Sequence, residues 1–114
     1  MSDSTVINFS NSEDKKLATL AVATLARTGA KQSAALRDTT GRTYVAINIE
    51  SASLSLDALQ AVFTVATASQ ISGIESVVIT GDKLALTAVI SENSPDATIF
   101  HITDSGVITL FNRI

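Results

Sequence analysis

The 114-residue chain has no cysteine, no tryptophan, one proline and one histidine. Without cysteine there is no disulfide framework, no thiolate nucleophile and no CxxC metal knuckle. A single histidine cannot by itself complete a zinc site of the usual His/Cys type. Basic residues are also scarce, eight Lys and Arg against eleven Asp and Glu for a net charge of −3. That balance argues against the clustered positive charge a nucleic-acid-binding surface needs. No apolar run approaches the ~20 residues of a membrane span. Met1 to Ser12 is polar and acidic, unlike a secretory leader. The chain is therefore expected in the cytoplasm, with neither membrane nor nucleic acid as partner. Neither GxGxxG nor GxxxxGK[ST] occurs, so a glycine loop cradling phosphate has no support.

What is abundant is apolar residues, 46% of the chain. The length suits one domain with a single core, taken as residues 1–114 with 1–10 expected to be disordered. Leu17, Leu20, Ala21, Thr24 and Leu25 fall at helical spacing, with Asn11 or Ser12 as cap, Glu13 and Asp14 in the first turn, and Gly29 as the stop. Gln32 to Arg37 and Thr43 to Ile49 flank Asp38-Thr39-Thr40-Gly41-Arg42, which predicts antiparallel strands joined by a turn with Gly41 at positive φ. Ser55 to Gln70 predicts a second helix. Its polar residues form a narrow stripe, Asp57, Gln60, Thr64 and Thr67, and a helix capping one face of a sheet should be wetter than that. Such dryness suits a central core helix or one packed on a second subunit.

Ile74 to Thr80, around Val77-Val78-Ile79, reads as a strand buried on both faces. Asp82 is a possible cap for a weaker helix running to Asn93, which Pro95 stops; Thr98 to Ile102 and Val107 to Phe111 are the last strands. Helices alternating with strands in this order predict a three-layer α/β/α domain with a mixed five-stranded sheet and about three helices.

Gly41-Arg42-Thr43-Tyr44-Val45-Ala46-Ile47-Asn48-Ile49-Glu50-Ser51-Ala52-Ser53-Leu54 resembles a passage of the cytidine deaminase family, in which a Gly-x-x-Tyr strand runs into Asn-Val-Glu-Asn-Ala-Ser-Tyr. Leu17 to Arg27, Ser33-Ala34-Ala35-Leu36 and Val89-Ile90-Ser91-Glu92 are similar to that family's first helix, its Gly-Ala-Ala-Leu strand and its third helix. The resemblance implies a cytidine deaminase-like fold. In the family, zinc held by three Cys/His side chains activates water, and a glutamate two residues after the first ligand moves the proton. Counting from Asn48 sets the first ligand position on Leu59 and the glutamate position on Ala61. Counting back from Val89 sets the other two ligand positions on Lys83 and Leu86, with the family's proline on Asp82. The family's ribose-contacting Asn and Glu fall on Asn48 and Glu50, both also suited to fastening an adjacent loop, and its base-stacking aromatic has become small near Ala30.

Other constellations are weaker. His101 lies near Asp104 and Ser105, but neighbours along one strand alternate between faces and do not converge. Among Glu50, Asp57, Glu75, Asp82, Glu92, Asp96 and Asp104, no spacing selects a carboxylate pair. The resemblance and the missing ligands together imply a catalytically inactive, zinc-free relative, a non-enzymatic homodimer or homotetramer joined through the helix at 55–70. Two alternatives stay open: a deaminase subunit whose zinc site a partner chain supplies, and a nucleoside-binding module using Asn48 and Glu50.

Overall fold

A computed structural model describes residues 9–81, 87–103, 106 and 108–110. The first helix, α1 (Ser12–Thr28), starts where the Asn11 side chain accepts hydrogen bonds from the Glu13 and Asp14 amides. It ends at Gly29, whose φ of 68° is the left-handed conformation glycine adopts without strain. Strands β1 (Gln32–Asp38) and β2 (Thr43–Ile47) follow, then a small hairpin of β3 (Ile49–Glu50) and β4 (Ser55–Leu56). Helix α2 (Ala58–Ala68), β5 (Ile74–Gly81), α3 (Ala88–Asn93), β6 (Thr98–Ile102) and β7 (Ile108–Leu110) complete the order.

The main sheet has five strands in the order β2-β1-β5-β6-β7. Only β5 and β6 run parallel; β1 pairs antiparallel with both β2 and β5, and β6 pairs antiparallel with β7. The expected mixed α/β/α sandwich is therefore present. On one face Ala35, Val78 and Ile102 pack against Leu17, Ala18 and Ala21 of α1, and Phe9 meets Phe100 edge to face at 4.7 Å between ring centres. On the other face Ala34, Leu36, Val77, Ile79 and Ile99 pack against Leu59, Val62 and Ala66 of α2 and Ile90 of α3. Strand β5 is buried along both sides apart from Glu75, which explains its β-branched run. No described helix is long and apolar enough to cross a membrane.

Two of the boundaries that differ from the sequence expectation have a visible cause. The strand at Thr43 to Ile49 stops at Ile47, because Asn48 turns its side chain onto the β1 backbone and Ile49 passes into the β3–β4 hairpin. The helix expected from Ser55 begins at Ala58, because Ser55 and Leu56 pair as β4 and Asp57 is the cap. Asp82, the expected cap of the third helix, lies outside the described residues. Of residues 1–10 only Phe9 and Ser10 are described.

Candidate functional site

The amino end of α2 is the position at which the resemblance puts the first half of a metal site. It stands at the carboxyl end of β5, the end at which open α/β sheets usually bind ligands. A free helix start presents unpaired N–H groups to an anion or nucleophile. Here the chain's own side chains occupy them. Asp57 Oδ1 accepts from the Gln60 amide at 2.8 Å, while Gln60 Oε1 accepts from the Asp57 amide at 3.0 Å, a reciprocal capping box. The Ala58 amide donates to Oε1 of buried Gln32, reaching across from β1, at 3.0 Å. Gly81 pairs with Gln32 in the adjacent strand at φ 135°, and a Cβ there would come within 2.8 Å of Gln32 Cα and against the Lys31 carbonyl oxygen. Glycine is what lets β5 close against β1 at this point.

Leu59 is fully buried and Ala61 is 2% exposed, and Leu59 packs into the apolar cluster with Leu36, Val62 and Ile79. A leucine and an alanine offer no lone pair to a metal and no group to carry a proton. The residues present do not fit the family's zinc ion. Lys83 and Leu86 lie outside the described residues. Among the described residues no three His, Cys, Asp or Glu side chains gather closely enough to hold a metal.

Asn48 and Glu50 do come together, around one short segment. Asn48 Oδ1 accepts from the Lys31 and Gln32 amides at 3.1 and 2.9 Å, and Glu50 pairs with the Lys31 ammonium at 3.3 Å in an exposed contact. Both thereby fasten the start of β1, the segment that carries Gln32. His101 is buried on the same sheet face as Ile79, its neighbour across the β5–β6 pairing, and takes part in an interaction within the fold. Asp104 and Ser105 lie outside the described residues. A cleft of about 200 Å³ opens at the opposite end of α2, between Phe63, Thr67, Ile71, Ile74, Asn93 and Ser94. None of its lining side chains is charged, so it has no group suited to acid, base or metal chemistry.

Sequence reasoning missed two polar features. Gln32 caps a helix 26 residues away in sequence, and no local pattern announces so distant a partner. The other is an ion cluster on the α1 face, where buried Arg37 donates to Asp14 at 2.9 Å and to the more exposed Glu75 at 3.1 Å. Burial opposes the charge of Arg37, but the hydrogen bonds and charges of Glu75 and Asp14 outweigh it and raise its pKa.

The cytidine deaminase-like family profile matches residues 10–106. The chain belongs to that family. Its fold is similar to the cytidine deaminase of Burkholderia pseudomallei, with a TM-score of 0.71 and 17% identity over 85% of this chain and 90% of that one. It is also similar to the cytidine deaminase of Mycobacterium leprae, with a TM-score of 0.61 and 22% identity over 83% of this chain and 90% of that one. No curated protein matches the sequence.

Proposed function

We propose that this chain is a catalytically inactive, zinc-free member of the cytidine deaminase-like family that serves as a non-enzymatic subunit of a homo-oligomer. The observation that carries the reading is the amino end of α2. There Leu59 and Ala61 fill the first ligand and proton-transfer positions with buried hydrocarbon, and Gln32 holds the Ala58 amide. In the other half of the site the sequence has Lys83 and Leu86, and it contains no cysteine at all. Hydrolytic deamination needs an activated water and a proton carrier, and neither is provided by these side chains. The oligomer would form through the helix around 55–70, where Val65 is 44% exposed and Phe63 half-buried.

Two alternatives predict different behaviour. If a partner chain supplied the zinc site, that partner should co-purify with this protein and the pair should deaminate cytidine. Against this, a partner's ligands would have to displace the buried Leu59. If the chain were a nucleoside-binding module, Asn48 and Glu50 would hold the ribose, although both already fasten Lys31 and Gln32. A ligand at 100 times its Kd adds roughly 2.7 kcal/mol to stability, so binding would show in a thermal-shift experiment with millimolar cytidine, uridine and deoxynucleosides, where the inactive reading expects no stabilisation. The inactive reading is tested by incubating the purified protein with cytidine and added zinc while following ultraviolet absorbance. No conversion to uridine is expected, and steady turnover would overturn it.

A further inference from the structure

Strand β2 is an edge of the main sheet, and no described strand pairs with its outer side. At its two ends the Arg42 carbonyl accepts from the Asp38 amide and the Asn48 amide donates to the Gln32 carbonyl. Antiparallel ladders alternate, so Tyr44 and Ala46 direct their backbone groups inward to β1, whereas Thr43, Val45 and Ile47 direct theirs outward. Thr43 to Ile47 contains no charge and no proline, and its register with β1 is unbroken. Among the described residues it therefore carries neither the charge, the proline nor the bulge that commonly blunts an edge strand. Charge lies only beyond its ends, with exposed Arg42 before it and exposed Glu50, paired with Lys31, beyond Asn48.

Taking the homo-oligomer of the proposed function as given, we infer that β2 pairs antiparallel with β2 of a second copy about a two-fold axis at Val45, joining two five-stranded sheets into one. Val45 then exchanges both backbone bonds with Val45 of the second copy, and Thr43 exchanges both with Ile47. This register uses every outward group of the strand. It also sets Arg42 of each copy opposite the uncharged Asn48 of the other, so no like charges face each other across the pairing.

The helix layer agrees with this geometry. Helix α2 lies across β1 and β2. With strands about 4.8 Å apart, a helix centred between β1 and β2 would stand about 10 Å from its copy across the new pairing. That is close to the 8–10 Å separation of packed helices. Five paired residues are a small contact compared with a standard interface of about 1,600 Å², so the two α2 helices supply the remainder. The dryness of α2 and the open edge of β2 thus belong to one surface.

The experiment compares the full chain with Val45→Pro and Val65→Glu by sedimentation equilibrium over a range of concentrations. Circular dichroism and thermal melts check that each variant folds. The Val45 amide points outward, so proline removes no bond within the subunit. The wild type should be a dimer or an even multiple, and Val45→Pro should weaken association about tenfold or more. Hydrogen exchange gives a second reading without substitution: the Thr43, Val45 and Ile47 amides should gain protection as the dimer forms, while Tyr44 and Ala46 stay protected in the monomer. Association that survives Val45→Pro, or outward amides that exchange freely in the dimer, would overturn the β2 pairing. If Val65→Glu still dissociated that dimer, the α2 interface would stand without it. A monomer at all concentrations would overturn both.

Discussion

The two faces of the sheet are held by different chemistry. Beneath α1, Arg37 is buried between Asp14 and Glu75, and two further polar side chains, Ser33 and Ser76, are buried on the same face. Beneath α2 and α3, at the level of Leu59, the packing is almost wholly aliphatic. In a cytidine deaminase-like fold the second face is where the resemblance expects the metal and the proton carrier. In this chain that face is the drier one, and of its buried polar groups Gln32 closes a helix start while His101 lies beside Ile79. The buried charge of the molecule lies on the other face, where the Arg37–Asp14 pair ties α1 to the sheet.

The largest effect should come from writing the family's residues back. Leu59→His together with Ala61→Glu puts two polar groups into closely packed hydrocarbon without partners. Such burial costs a few kcal/mol per group, so we expect a loss of roughly 4 kcal/mol or more in denaturant unfolding, with no deamination gained. Arg37→Ala on the opposite face should be next, because breaking a buried ion pair from one side typically costs about 3–5 kcal/mol. The lower end is expected, since the Glu75 side chain is 56% exposed and its share is screened by solvent. A loss below about 1 kcal/mol for Arg37→Ala, the size of an exposed ion pair, would mean that the α1 face does not depend on its ions.

The turn at Asp38 gives a pH-dependent prediction on the boundary between β1 and β2. Burial of Asp38 disfavours its charge, but hydrogen bonds from the Thr40 hydroxyl and the Arg42 and Thr40 amides, with the Arg42 charge, hold its carboxyl below the ordinary value. A depressed folded pKa stabilises the fold fully above the unfolded value of about 3.9, and that contribution is lost as the pH falls through the folded value. Asp38→Asn should therefore be less stable than wild type at pH 7, and the two unfolding free energies should converge in acid. A constant gap would remove the carboxylate from the explanation. The smallest effect is expected from Asp57→Ala, where loss of one cap costs about 1 kcal/mol, read from the shift in the urea midpoint.

These contrasts also mark what the sequence could disclose. The limits of α1 were legible because Asn11 and Gly29 act on their own neighbours. The hairpin at Gly41 was legible for the same reason, and Gly41 does take positive φ, at 95°. The start of α2 was set three residues early, although Asp57 and Gln60 spell a capping pair, because the apolar spacing of Ser55 to Gln70 obscured the short β4 strand. The contacts that define the site region were hidden for a different reason. Gln32 with Ala58, Asn48 with Lys31, and Arg37 with Asp14 and Glu75 join residues 16 or more apart, and only the folded sheet brings them together. The inert identities of Leu59 and Ala61 are readable at once, and the dryness of Ser55 to Gln70 already suits them to a core, where the structure buries both.

The most direct test of the account is the zinc content of the full-length protein, purified without chelator from cells grown with added zinc and measured per mole of chain. Far less than one zinc per chain is expected, since the α2 end has hydrocarbon where the resemblance sets the first ligand. One zinc per chain, retained through dialysis, would contradict it.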